Sequence, residues 1–357
     1  MRVLHLTRPA SGGVLRFLQS VLPRLQDEGV RIEVSCPQSM HSALPQIATR
    51  SWEITDHPHP VNDVRCALEV RRWEGGFDIV HAHGLRAVGV LALMPPRRWV
   101  ISLHNLPPEH LSPPLRALLR RASTTASLIH TVSGAVMDGW IRLFPDSASK
   151  CVVVPGGVDT DAIRFSLQQR TSARRQWNLP EANPVALCVA RLMSDKGVDV
   201  LLRAVVHAPE WYVLIVGDGP DREHLVQLAG QSGAGERVRF TGYLPSLEGA
   251  WAASDLAVVP SRREGLGLFA LEAMAVGKPV IASSSGGLAE TVRHGETGWL
   301  VPPDDVSALA NALQNAYRQR DCWEEMGKRG REHVLQNYTW DRTAQQLLER
   351  YRRLLST

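Results

Sequence analysis

At 357 residues with a formal net charge of +4, the chain is too long for one ordinary hydrophobic core and too weakly basic for a general nucleic-acid binder. Its 44% hydrophobic and 21% charged content describes a globular protein, and no window approaches the ~18 apolar residues of a spanning helix. The cysteines (Cys36, Cys66, Cys151, Cys188 and Cys322) are scattered and never spaced C-x-x-C, so they read as reduced core residues of a cytoplasmic protein. The opening M-R-V-L-H-L-T-R carries no signal-peptide apolar core, which agrees with that expectation.

Short β-branched runs alternate with helical patterns along the whole chain. R-V-L-H-L-T (2–7) predicts a strand, S-G-G a turn, and Val14 to Asp27 a helix that ends near Gly29. Further strands are expected at 31–37, 77–83, 98–104, 127–133 and 150–155. After a polar stretch from Asp161 to Asn183 the rhythm restarts, with strands at 184–191, 212–217, 237–242, 255–260 and 279–283. The tail from Asp304 reads as helical. Nearly uniform apolar strands between helices indicate parallel sheets covered on both faces. Two such runs predict an α/β protein of two Rossmann-like, doubly wound domains. The expected division is residues 1–160 and 161–337, with a last helix at about 338–357 crossing back onto the first domain.

In folds of this class ligands sit beyond the carboxyl ends of the strands, at helix N-termini. The residues just after each strand therefore carry the information. A-R-L-M-S-D-K-G follows a strand and opens a helix, so Arg191 and Lys196 would project from the loop as a seat for a diphosphate. A surface pair with Asp195 is the plainer reading. The chain has only four lysines, which makes one at this place informative. V-G-D-G-P is half of a dinucleotide fingerprint, with Gly217 and Gly219 but no third glycine, so nicotinamide binding is not indicated. The Gly12-Gly13 turn offers close backbone approach to a phosphate, or is an ordinary tight turn.

His81-x-His83 share one face of a strand, and His104 ends a neighbouring one. No spaced Asp, Glu or Cys completes a metal set, and the only D-x-D, Asp159-x-Asp161, falls between the domains. Polar contacts to a substrate are the expected role of these histidines, with no metal. In S-R-R-E-G-L-G-L-F-A-L-E-A-M-A-V-G-K-P, Ser261 to Pro279, two glutamates bracket glycine and apolar residues. No capping side chain precedes the helix expected from about Leu268, which leaves the amides of Gly265, Leu266, Gly267 and Leu268 for a ligand. Glu264 stands at that mouth and Glu272 a turn inside. A carboxylate accepts two hydrogen bonds at once and suits a vicinal diol. The alternatives are ion pairs, Glu264 with Arg263 and Glu272 with Lys278 or Arg262.

These motifs together resemble the retaining GT-B glycosyltransferases, glycosyltransferase family 4. The E-x7-E segment, A-R-L-M-S-D-K-G, V-G-D-G-P, F-T-G-Y-L, V-V-P-G-G-V-D and S-G-G-L-A-E occur in the family's order. The resemblance implies a GT-B fold and transfer of a hexose, with retention and without a metal for the chemistry, from a nucleotide-sugar such as a UDP-sugar. The acceptor would be a glycan, a lipid-linked glycan or another hydroxyl, in cell-envelope polysaccharide or glycoconjugate synthesis. It implies that Arg191 and Lys196 hold the diphosphate, Glu272 the ribose and Glu264 the hexose. It places Gly217, Tyr243, Leu244 and the amides of 265–268 at the donor. Gly12 and Gly13 complete the phosphate site, and His104 lies on the acceptor side. An epimerase or sugar-phosphate synthase of the same fold, and a non-catalytic sugar-nucleotide binder, share these motifs. Gly156 and Leu266 depart from the family's usual Asn and aromatic. Arg97-Arg98-Trp99 and the basic amphipathic run with Arg116, Arg120 and Arg121 predict peripheral contact with an anionic membrane; the alternative is a solvated helix.

Overall fold

The computed structural model describes residues 1–10, 12–160 and 167–356. Asp161, half of the D-x-D pair, lies outside them. The chain forms two compact units, Met1–Gly156 with Trp340–Thr357, and Gly157–Thr339.

The first unit holds seven strands: β1 (Arg2–Thr7), β2 (Arg31–Cys36), β3 (Ala48–Ser51), β4 (Ile79–His83), β5 (Trp99–Leu103), β6 (Leu128–Thr131) and β7 (Cys151–Val153). They pair in parallel in the order β3-β2-β1-β4-β5-β6-β7. The second holds β8 (Val185–Val189), β9 (Tyr212–Val216), β10 (Val238–Gly242), β11 (Leu256–Val259), β12 (Val280–Ser283) and β13 (Gly298–Val301), ordered β10-β9-β8-β11-β12-β13. Each order reverses once, beside β1 and beside β8, which is the doubly wound pattern and sets a ligand crevice at the strand ends there. Central strands are buried on both faces along their whole length, as largely apolar runs require.

Two strands escape the periodicity. A-T-R-S of β3 and G-W-L-V of β13 are short edge strands, each with one neighbour, so neither needs a long apolar run. From Leu167 onward the polar stretch is also more ordered than its composition suggests. Helix Arg170–Gln176 carries Arg174, fully buried, whose guanidinium donates to the carbonyls of Pro180, Asn183 and Ala253 and pairs with Asp255 at 2.8 Å. A buried arginine is tolerated only with this many acceptors.

In the first unit, helix Gly12–Asp27 buries Phe17, Leu18, Val21, Leu22 and Leu25 along one stripe. The terminal helix Trp340–Ser356 packs against it, burying Trp340, Ala344, Leu347, Leu348 and Tyr351, with Arg24 paired to Asp341 at 2.8 Å. Cys36, Cys66 and Cys188 are buried as expected, whereas Cys322 is exposed at the end of a 3₁₀ turn.

Candidate active site

In the second unit the loop after β8 and the loop after β11 meet. Lys196 Nζ donates to Glu264 Oε2 at 2.8 Å, and Ser261 Oγ donates to the same oxygen at 3.2 Å. Both charged side chains keep about a fifth of their surface exposed (23% and 19%), so they remain open to a ligand. Glu264 thus has Lys196 as its partner. Arg191 stands exposed just after β8 and makes no ion pair among the described residues.

What holds these loops together is Arg262. Its guanidinium bridges Asp199 with two 2.8 Å bonds, reaches Asp304 at 2.7 Å, and donates to Ser194 O at 2.6 Å. Its amide donates to Asp195 O at 2.8 Å. Burial works to raise the Asp199 carboxyl, but the hydrogen bonds and charge of Arg262 outweigh it and hold the group below its ordinary range. The hydrogen bonds that Arg262 donates to Asp199 raise Arg262 in turn. Arg262, one of the partners considered for Glu272, is committed to aspartates instead. Its role is not visible in the sequence, because Asp199 and Asp304 are remote in the chain.

Helix Leu268–Ala275 begins at Gly267, whose φ of +89° lies in the left-handed region, and no side chain caps it. Among the described residues the amides of Leu266, Gly267 and Leu268 bond to no protein acceptor. The S-G-G turn after β12 supports this mouth from behind. Gly287 N donates to Glu264 O at 3.2 Å, and a Cβ on Gly287 would lie 2.3 Å from Gly265 O. Glu272 is buried at 8% exposure within the helix. Gly217 follows β9 with its amide bonded to Gly242 O at 2.8 Å. Tyr243, just past β10, is 77% exposed, and Leu244 beside it is half-buried. The arrangement offers cations, free amides and a carboxylate at one strand-end crevice, the equipment for a phosphorylated, hydroxylated ligand.

In the first unit Gly12 and Gly13 open a helix and are exposed. The histidines depart from expectation. His81 and His83 are 0% and 1% exposed, inside the sheet, and not at its rim. Parallel registers align His5 with His81, His83 with Ser102, and Ser102 with His130, so all lie on one face. His130 Nε2 reaches Val154 O at 2.8 Å, an atom that only accepts. His130 therefore carries its proton on Nε2, and Ser102 Oγ donates to His130 Nδ1 at 2.6 Å. His81 Nε2 then donates to Ser102 at 2.6 Å, and Tyr351 OH donates to His81 Nδ1 at 2.5 Å. Each proton in that chain is assigned by the Val154 carbonyl. A second chain runs from His104 Nε2 to His83 Nδ1 (3.1 Å) and from His83 Nε2 to His5 Nδ1 (2.9 Å).

Nitrogens of His5, His81 and His83 come within 4.8 Å of one another, close enough to raise a metal site. Both nitrogens of His81 are already spent on Tyr351 and Ser102, so a cation there would have to break that chain. Burial lowers His5 and His104 to about 3 and His130 to about 4; for His104 the charge of His130 adds to it, and for His130 the Val154 hydrogen bond opposes it. Burial and then the neighbouring imidazoles push His81 and His83 well below 6.5. All five are neutral at pH 7.

Residues 11–162 match the family described as Glycosyltransferase Family 4, and residues 169–333 match Glycosyl transferases group 1. A GDP-mannose-dependent alpha-(1-6)-phosphatidylinositol monomannoside mannosyltransferase of Mycobacterium tuberculosis is 32% identical across 98% of this chain and 97% of its own. The chain belongs to glycosyltransferase family 4. This glycosyltransferase is also 32% identical to a D-inositol 3-phosphate glycosyltransferase of Nocardia farcinica, over 79% of this chain and 68% of that one. Among solved structures, Anabaena HepE in complex with UDP-glucose superposes with a TM-score of 0.87 at 25% identity, over 98% and 99% of the two chains. Sucrose-phosphate synthase from Thermosynechococcus elongatus does so with 0.85 at 25%, over 99% of each. The fold is GT-B.

Proposed function

We propose that this enzyme transfers a hexose from a nucleotide-sugar to a hydroxyl of a lipid-linked or glycan acceptor, with retention at the anomeric carbon and without a metal for the chemistry. The observation that carries the reading is the meeting of Lys196 and Glu264, 2.8 Å apart, beside the uncapped mouth of helix Leu268–Ala275. Lys196 and Arg191 take the diphosphate and offset its charge as it leaves. Glu264 takes hexose hydroxyls, Glu272 the ribose, and the amides of 265–268 the sugar or phosphate. Gly217, Tyr243 and Leu244 border the nucleotide, and His104 serves the acceptor side.

GDP-mannose is the first donor to try, because the near full-length relative from Mycobacterium tuberculosis is named for it; UDP-glucose, bound in HepE, is the second. An acceptor carrying an inositol phosphate headgroup is favoured on the same ground, and synthesis of cell-envelope glycoconjugates follows from it. Thermal-shift screening of a nucleotide-sugar panel tests the donor, since a ligand of the native state raises the melting point. Absence of any shift contradicts the reading.

A second observation favours contact with an anionic membrane. Helix Pro113–Thr125 exposes Arg116, Arg120 and Arg121, and Arg116, Arg120 and Arg142 line a cavity of about 540 Å³ beside Asp146. Trp99 does not take part. It is fully buried in β5, because the central strand turns it into the core. Among the described residues no helix is long and apolar enough to cross a membrane. Sedimentation with anionic liposomes at low salt, lost in an R116A/R120A variant, is the expected result; no binding by the parent protein removes the idea.

A further inference from the structure

We propose that His5 and His83 are positioning residues that hold His104 as its Nδ1–H tautomer, so that this enzyme presents a hydrogen-bond donor, and not a lone pair, at the outward nitrogen of His104. A neutral imidazole has one N–H, so in a chain of imidazoles each ring that donates to one neighbour accepts from the other. The contacts His5 Nδ1 to His83 Nε2 and His83 Nδ1 to His104 Nε2 then admit only two patterns. Either all three rings carry the proton on Nδ1, or all three carry it on Nε2. The rings are locked to one another, and the tautomer of His104 is decided at His5.

The buried end of the chain makes the decision. His5 is fully buried, and its Nε2 has no hydrogen-bond partner. In the all-Nε2 pattern that atom is an N–H with nothing to receive it, inside the core. In the all-Nδ1 pattern it is only an unused lone pair. Buried unpaired N–H groups are the rarer and costlier of the two. The neighbouring rings offer no rescue. His81 is spent on Tyr351 and Ser102, and His83 Nε2 already meets the other nitrogen of His5. The all-Nδ1 pattern therefore holds.

At the other end, His104 is half-buried, and its Nδ1 bonds to no described protein atom and is not closed off from solvent. Phe17 packs edge-on at 5.0 Å and fixes the ring plane. The atom offered there is N–H. A hydroxyl or phosphate oxygen is its fitting partner, and a proton cannot be taken by it. This chemical consequence rests on the glycosyl-transfer reading that puts His104 beside substrate; the tautomer itself does not.

The test is a long-range proton–nitrogen correlation spectrum of the full chain labelled with ¹⁵N-histidine at pH 7. The expected pattern is Nδ1–H for His5, His83 and His104, the less common form in free histidine, with Nε2–H for His81 and His130. Nε2–H on His104 overturns the proposal. His83→Phe cuts the chain and should free His104 from Nδ1–H. His83→Asn keeps an amide N–H where Nδ1 stood and should restore both the His104 signal and transfer. The His81 and His130 signals report whether either variant keeps its sheet. An unchanged His104 in folded His83→Phe contradicts the proposal, and if His83→Phe does not fold, the parent spectrum alone decides. If the spectrum is as expected but no nucleotide-sugar is turned over, the relay stands and the reaction assigned to the enzyme falls.

Discussion

Lys196 and Glu264 are 68 residues apart in the chain and 2.8 Å apart in space, joined at the ends of two neighbouring strands. A partly exposed ion pair of this kind adds only ~0–1 kcal/mol to stability. Its placement therefore matters for ligand binding more than for folding. Lys196→Ala and Glu264→Gln should each lower kcat/KM by roughly 10²–10³, the scale for removing one group that stabilises transition-state charge. Melting temperature should barely move. A variant with full activity, or one that unfolds, contradicts this assignment.

Arg262 behaves differently. Its removal leaves Asp199, half-buried in the first turn of helix Val198–Val206, without its bidentate partner. Arg262→Ala should cost ~1–3 kcal/mol for the unsatisfied carboxylate and lower the melting temperature by several degrees. Because the clamp also spaces Lys196 from Glu264, donor KM should rise as well. Arg262→Lys, a point charge without the planar fork, should recover only part of the loss. Equal stability of the alanine variant and the parent would show that the clamp is dispensable.

The histidine layer makes the first unit acid-sensitive. These groups have native values lowered below the ordinary 6.5, so the unfolded chain binds more protons as pH falls below that value. Stability is complete above about pH 6.5 and declines on acidification. At pH 5 each fully suppressed histidine contributes a loss of about 2 kcal/mol, and His5 and His130, at about 3 and about 4, both qualify. Urea melts followed by tryptophan fluorescence should show a markedly lower midpoint at pH 5 than at pH 7.5. A midpoint that does not change would refute neutral burial.

Tyr351 links the terminal helix to the sheet through one proton. Tyr351→Phe keeps the ring and removes the donor to His81 Nδ1, leaving a buried acceptor unpaired. The expected cost is ~1–3 kcal/mol. Hydrogen exchange should quicken across Trp340–Ser356, and a protected helix in that variant would argue against the link.

The doubly wound architecture was legible because parallel strands covered on both faces need largely apolar runs; β8 and β11 have unbroken ones, and β1, β4 and β5 are interrupted only by the buried His5, His81, His83 and Ser102. Short edge strands such as β3 have no such need and leave no trace. The site was half legible. Lys196, Arg191 and Glu264 stand where strand ends meet helix starts, a place the order of elements predicts. Arg262 and the His5–His83–His104 chain were not, since their partners are supplied by cross-strand register and loop packing between distant segments. His81 was misplaced for the same reason. Position at a strand end says where the backbone goes, and only the neighbouring strands decide whether the side chain meets water or Ser102.

The most direct test of the account measures nucleoside diphosphate release from GDP-mannose and UDP-glucose, with an inositol-phosphate lipid acceptor, in the parent enzyme and in a K196A/E264A variant, with the product anomer read by NMR. The expected result is acceptor-dependent release by the parent, retained configuration, and loss of release in the folded double variant. Undiminished turnover by that variant, or an inverted product, would contradict it.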